Sequence, residues 1–271
     1  MSHLSADTIG RPSGQELEGL FAMVTGASRG IGRAIGDKLL NAGAAVCFCG
    51  TTDRSLETIR RDFGDDKRVR TRAFDVVNRE AAIEAACDLE REVGHIDILV
   101  NVAGRYIAKP FLSSSPIDFT RLFEVNLLGA VHLMQALLPG MIGRGFGRIV
   151  NIASTGGKWG SVNQSAYNVS KHALVGLTRC VALETATTGV TVNGICPGFV
   201  RTDLVGPFCV DHAAINNCSP SIVMERVLAR IPIGRLIEPA EIADLAKFLV
   251  SRSAGAMTGQ TILFDGGMLL V

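Results

Sequence analysis

Several absences narrow the class of this protein before any motif is read. Net charge is almost absent: 27 basic against 26 acidic side chains leave +1 over 271 residues. Broad binding of a polyanion needs a basic face, so a nucleic-acid partner is excluded. No apolar run approaches the roughly 18 residues of a membrane span. The first sixteen residues are polar, broken by Gly and Pro, and lack the apolar core of a signal peptide. A soluble, cytoplasmic protein with no membrane partner is expected. Paired cysteines are also missing: seven, an odd number, lie scattered at Cys47, Cys49, Cys87, Cys180, Cys196, Cys209 and Cys218. They read as reduced thiols, and Cys47-Phe48-Cys49 has no second pair to complete a metal site, so no metal is expected. Linkers, composition breaks and internal repeats are lacking too. Tyrosine occurs only twice, at Tyr106 and Tyr167, and tryptophan once, at Trp159.

What the chain has in quantity is glycine, 30 residues or about one in nine, within a 47% hydrophobic composition. That apolar content excludes disorder, and the glycines show no collagen period. A chain of this length buries a core without disulfide or metal staples. Apolar runs at 20–25, 45–49, 69–74, 96–101, 148–153, 191–196 and 261–264 read as strands. Helical periodicity fills 30–42, 53–62, 78–93, 116–143, 165–186 and 238–251. Runs apolar throughout belong to strands buried on both faces, so the alternation predicts an α/β fold. Its form is a single-domain, doubly wound parallel sheet of Rossmann type, about seven strands with helices on both faces. Residues 1–18 read as a polar tail and 19–271 as the domain. The stretch 201–230 reads as one long loop, a length that points to function.

The first strand runs into Thr25-Gly26-Ala27-Ser28-Arg29-Gly30-Ile31-Gly32 and then a helix. Small residues let the backbone approach a pyrophosphate, and the helix N-terminus offers free N–H groups and partial positive charge. By itself such a turn is weak evidence, because tight turns need glycine anyway.

Further motifs follow in order: Asp75-Val76 after the third strand, Asn101-Val102-Ala103-Gly104 after the fourth, and Val125-Asn126-Leu127. Ser154 stands thirteen residues before Tyr167, Tyr167-x-x-x-Lys171 follows, and then Pro197-Gly198. Together they resemble the short-chain dehydrogenase/reductases over residues 20–271. The segments 151–158, 196–200 and 230–235 look most like the 3-oxoacyl and aromatic-polyketide ketoreductases. The resemblance implies hydride transfer between a nicotinamide and a ketone or secondary alcohol. It makes Tyr167 the proton donor and acceptor, and Ser154 a hydrogen-bond donor to the substrate oxygen. Lys171 would hold the ribose and lower the tyrosine pKa, and Asn126 would hold a water that links Lys171 to solvent. Tyr167 and Lys171, four apart on a helix, share one face. The implied cofactor residues are Thr25, Gly26, Ser28, Arg29, Gly30, Ile31, Gly32, Thr51, Asp75, Val76, Asn101, Ala103, Gly104, Tyr167, Lys171, Pro197, Gly198, Val200 and Thr202.

The second strand ends in Gly50, where NAD-preferring relatives carry an acid, and Asp53 reads as a first-turn acid of the next helix. Arg29 matches a position where relatives place a basic residue against a 2′-phosphate. NADP(H) is therefore favoured over NAD(H). The segment 203–230 resembles a substrate lid, and Trp159, Phe199 and Leu204 join Ser154 and Tyr167 as candidate substrate contacts. Leu183 stands where carrier-protein-linked reductases show an arginine, which favours a free ketone or a coenzyme A thioester, while Arg144 and Arg148 offer a remaining basic edge. The expected activity is reduction of a 3-oxo or aryl/cyclic ketone. The alternative is an NAD-dependent secondary alcohol dehydrogenase running oxidatively; a cofactor-sensing relative without catalysis is disfavoured by the intact constellation. Homotetramers through the two long helices and the last strand are implied.

Overall fold

In the computed structural model, which describes residues 15–271, the strands that read as uniformly apolar lie at the centre of one sheet. β1 (Phe21–Val24), β4 (Ile98–Asn101), β5 (Gly147–Ile152) and β6 (Val190–Pro197) are buried at every position. β2 (Ala45–Gly50) lies beside β1, while β3 (Val69–Ala73) and β7 (Thr261–Phe264) form the half-buried edges. The order is β3-β2-β1-β4-β5-β6-β7, every pair parallel. The chain moves outward from β1 to β3 and then crosses back to β4. The direction of winding reverses there, which opens a crevice at the carboxyl ends of β1 and β4.

Helices α1 (Gly30–Asn41), α2 (Glu57–Phe63) and α9 (Pro239–Val250) cover one face, with Ile35, Leu39, Ile59, Ile242 and Leu249 in its core. α3 (Arg79–Val93), α5 (Gly129–Arg144) and α6 (Ser165–Thr185) cover the other, with Leu89, Leu133, Leu137 and Leu174 buried. The segment read as one helix over 116–143 is α4 (Pro116–Phe123), a π-helical stretch (Glu124–Leu128) and α5, with no break between them. This 29-residue helix is long and apolar enough by composition to cross a membrane, with mean hydropathy 1.5 over its most apolar window. Its apolar side packs on the sheet through Leu133, Met134, Leu137 and Met141, as a core helix does.

Three expectations need correction. The stretch 201–230 is not a loop: it holds α7 (Val205–Asn216) and α8 (Pro220–Ala229), joined by Asn217 in the left-handed conformation at φ 50°. Small buried side chains, Cys209, Ala213 and Val223, stitch the two together. The tail does not extend to residue 18. Leu17 is fully buried in the α1-side core, its N–H donates to the Ala42 carbonyl at 2.9 Å, and Glu16 pairs with Lys247 at 2.8 Å. Residues 1–14 of the expected tail lie outside the described residues. Arg144 and Arg148 form no basic edge. Arg144 pairs with Glu90 and donates to the Ile96 carbonyl, while buried Arg148 donates to the Gly147 and Gly189 carbonyls and lies on Phe146.

Candidate active site

The glycine loop leaves β1 and enters α1 under tight steric control. Gly26 has φ +59°, and a Cβ there would sit 3.0 Å from Ala103 N; a Cβ on Gly32 would meet the Gly26 carbonyl oxygen at 2.3 Å. Thr25 is buried, and its hydroxyl accepts from Val102 N (2.9 Å) and Ala103 N (3.1 Å), tying the loop to the strand-end segment beside it. The first turn of α1 carries no acidic residue that would repel an anion.

A cavity of about 470 Å³ opens above this loop. Of the predicted cofactor residues, Thr25, Gly26, Ser28, Arg29, Gly30, Ile31, Gly32, Thr51, Asp75, Val76, Ala103, Gly104, Tyr167, Lys171 and Thr202 all line it. Pro197, Gly198 and Val200 instead line a second, adjoining cavity. Asn101 faces neither; its amide donates to Asn151 Oδ1 at 2.8 Å, and Asn151 in turn donates to Thr178, a buried polar chain between strands and α6. Gly50 ends β2 on the wall of the first cavity, and Asp53 is held away by Arg60 at 2.6 Å. Arg29 stands exposed at the rim, 3.7 Å from Asp203.

The second cavity, about 590 Å³, is predominantly apolar and holds Ser154, Trp159, Tyr167, Phe199 and Leu204, all five of the predicted substrate contacts. Tyr167, Thr202 and Leu204 line both cavities, so the tyrosine stands at their junction. Ser154 follows β5, and its Oγ accepts from Gly156 N at 3.0 Å, which leaves the hydroxyl hydrogen free to point elsewhere. Lys171 is buried, and its Nζ donates to the Ile152 carbonyl at 2.9 Å. An ammonium has three N–H donors, and this bond uses one. The rest face the first cavity across Gly104, whose missing side chain leaves room: a Cβ there would lie 3.5 Å from Nζ. These features fit a nicotinamide dinucleotide, with the pyrophosphate on the glycine loop and hydroxyls within reach of Lys171.

Burial sets the electrostatics. It pushes Lys171 down to about 8 and pushes Tyr167 above the usual tyrosine value, with the Ser154 hydroxyl pulling the latter partly back. The expected lowering of Tyr167 by Lys171 is therefore not met in the protein alone. The ammonium lies 6.0 Å from the ring centre, and desolvation sets the direction of the shift. Asn126 sits in the π-helical stretch, where its Oδ1 accepts from Arg105 N (2.7 Å) and its Nδ2 donates to the Arg105 carbonyl (3.0 Å) and Ser170 Oγ (2.9 Å). It clamps the backbone beside Gly104 to α6.

Tyr106 and His212 escaped the sequence reading as site residues. Tyr106 lines both cavities, packs edge-on to Tyr167 at 5.1 Å between ring centres, and shares a 2.7 Å hydrogen bond with His212 of α7. Phe208 stacks on His212 at 4.3 Å, so α7 closes over the tyrosine pair through aromatic contacts. The presence of only two tyrosines was a visible signal; their adjacency was not.

With a glycine-loop cleft suited to a dinucleotide meeting an apolar chamber beside the Tyr106–Tyr167 pair, the molecule is an oxidoreductase of the nicotinamide-linked kind. Comparison with known proteins agrees. A family profile described as enoyl-(acyl carrier protein) reductase matches residues 26–269. An acetoacetyl-CoA reductase of Shinella zoogloeoides is 37% identical over 252 residues, spanning 92% of this chain and 98% of that protein. A 3-oxoacyl-[acyl-carrier-protein] reductase of Vibrio harveyi is 36% identical over 256 residues, 94% of this chain and 99% of the other. Among solved structures, a tryptophan variant of the actinorhodin polyketide ketoreductase with NADPH superposes with a TM-score of 0.88 at 35% identity, covering 94% of this chain and 98% of that one. The chain belongs to the short-chain dehydrogenase/reductase family, enzymes that interconvert ketones and alcohols.

Proposed function

We propose that this enzyme reduces a 3-oxo or aryl/cyclic ketone with NADPH. The observation that carries the reading is Tyr167 at the junction of the two cavities, with Ser154 lining the apolar chamber and Lys171 lining the glycine-loop cleft. NADPH, when bound, supplies the hydride. Tyr167, kept protonated by its burial, donates its phenolic proton to the carbonyl oxygen of the ketone. Ser154, its acceptor lone pair already engaged by Gly156 N, donates to the same oxygen and stabilises the charge that develops there. Lys171 holds cofactor hydroxyls with its remaining donors.

The preference for NADPH over NADH rests on two local facts: no carboxylate closes β2 at Gly50, and Arg29 stands at the cleft rim. Exposed Leu183 lies where carrier-linked relatives carry an arginine, so the proposed substrate is free or bound to coenzyme A. Exposed Leu128 and Ile142 on one long helix, Val169 and Leu183 on the other, and Leu270 and Val271 after β7 support a homotetramer built on these surfaces. All seven cysteines are free, which fits a reducing cytoplasm. The deciding experiment is a screen of ketones and secondary alcohols with NADPH and NADH at equal concentration, read by nicotinamide absorbance. Faster turnover of a 3-oxo or aryl ketone with NADPH is expected; a strong NADH preference, or alcohol oxidation alone, refutes the reading. Sedimentation of a monomer at micromolar concentration refutes the tetramer.

A further inference from the structure

The larger cavity contains two charges that hydride transfer does not use. Arg226 and Arg230, four apart on α8 and at its C-terminal cap, are the only Arg, Lys, Asp or Glu side chains lining it among the described residues. Other arginines are paired at short range: Arg201 with Glu238 at 2.7 Å and Arg235 with Glu241 at 2.7 Å. Arg226 and Arg230 make no ion pair within the described residues. Like charges at this helical spacing repel by roughly 0.2–0.5 kcal/mol. A helix C-terminus tolerates a cation through its dipole, but the dipole explains neither a second one nor their shared orientation into the cavity. Arg230 is also held in place, its guanidinium 4.6 Å from the Trp159 ring centre. A guanidinium stacked by its face keeps its N–H edges free for a planar anion.

We infer that Arg226 and Arg230 form an anion-binding subsite for the end of the substrate remote from its ketone. The ligand chemistry is a carboxylate or phosphate oxygen group, gripped by the two guanidiniums, of which that of Arg230 lies on the Trp159 ring. The lid helix thus recognises the substrate as well as covering it. The inference rests on the ketoreductase reading and makes it more specific: the ketone enters with its neutral, reacting end toward Tyr167 and Ser154 and leaves its charge at α8.

Two matched substrate pairs test it and separate the sources of the anion. Monoethyl and diethyl 3-oxoadipate differ by one carboxylate; acetoacetyl-4′-phosphopantetheine and acetoacetyl-pantetheine differ by one phosphate. A charge-assisted contact of about 1.5–3 kcal/mol corresponds to a preference of roughly 10- to 150-fold in kcat/KM for the charged member. A preference in either pair supports the subsite and names its anion; no preference in both overturns it. In the double variant Arg226→Gln/Arg230→Gln the charged-to-neutral ratio is expected to fall to about one, with the loss in KM, and to shrink in the wild type as salt rises. An equal loss on charged and neutral members overturns the inference. A second readout is independent of catalysis. Trp159 is the single tryptophan, so its fluorescence reports anions at Arg230 directly. Saturable change on titration with 4′-phosphopantetheine or adipate, absent in the double variant, supports the subsite; no saturable change with either in the wild type overturns it. If no ketone is reduced while fluorescence still saturates, the ketoreductase reading fails and the subsite stands.

Discussion

Replacing Tyr167 with Phe removes one oxygen from a ring whose packing stays intact, so its effects on chemistry and on folding are expected to diverge. The ring keeps its edge contact with Tyr106 at 5.1 Å and its place at the junction of the two cavities. The lost group is a buried hydroxyl that burial already disfavours in its ionised form. Loss of a hydroxyl whose neighbour Ser154 keeps its bond to Gly156 N leaves stability within about 1 kcal/mol of wild type. The chemical step loses its proton donor, worth about 10²–10⁴ in rate, or roughly 2.7–5.4 kcal/mol of barrier. Ser154 and the cofactor contacts remain, so the loss belongs in kcat rather than in the KM for NADPH. The assay follows nicotinamide absorbance at saturating cofactor with a reporter ketone, paired with thermal unfolding of the same preparation. Turnover within threefold of wild type, or a lowered unfolding temperature that accounts for the lost activity, refutes the assignment.

Other outcomes follow from single contacts. Asn126→Ala removes three hydrogen bonds and strands the Arg105 backbone; a loss of about 2–4 kcal/mol in denaturant unfolding is expected, together with lower turnover. Leu17→Ala should cost about 2–5 kcal/mol by the same measurement, because the side chain is fully buried; an unchanged midpoint would place residue 17 outside the folded domain. Lys171 has its folded-state pKa lowered to about 8 from 10.5, so below pH 8 its burial as a cation opposes folding, and stability rises as pH climbs through that window. The burial-raised Cys196 and Tyr167 act in the opposite sense above their ordinary values of 9.0 and 10.0. The diagnostic quantity is therefore the difference between wild type and Lys171→Met, which should grow in favour of wild type from pH 8 upward. A flat difference refutes the buried-ammonium account.

The legible parts of the fold are those where local chemistry and tertiary placement coincide. β1, β4, β5 and β6 are predominantly apolar because both faces are covered, so most of their burial was written in the residues themselves, the buried Asn101, Arg148, Asn151, Thr191 and Asn193 excepted. α7 and α8 were missed for the opposite reason. Val205–Asn216 is apolar on nearly every side, with Gly206 and Pro207 in its first turn, and its chain resembles a loop until Cys209 and Ala213 find Val223. One signal was available: Ser219 before Pro220 is an N-cap followed by an N1 proline, and its Oγ accepts from Ile222 N. Leu17 was misplaced because a single apolar residue in polar surroundings carries no periodicity. At the site, Ser154, Tyr167 and Lys171 were legible through their spacing and the family pattern. The contact between Tyr106 and His212, 106 positions apart, depends on the fold of α7 and has no counterpart in local sequence. Asn101 shows the converse, a motif position whose side chain turns inward to bond Asn151.

The π-helical stretch between Pro116 and Arg144 also restricts how this gene product changes in length. The Gly129 N–H reaches back five residues to the Glu124 carbonyl, so the helix carries one residue more than a regular α-helical path. Each residue advances an α-helix by about 100°. Deleting one position within 124–128 would restore regular hydrogen bonding and, judged as a helix alone, improve it. It would also put the two halves out of phase: with Leu133 and Leu137 seated on the sheet, Leu122 would swing off its buried site and Asn126 away from Arg105. Point substitutions on the exposed side of this helix are therefore open to drift, whereas its residue count is locked by the active site it crosses.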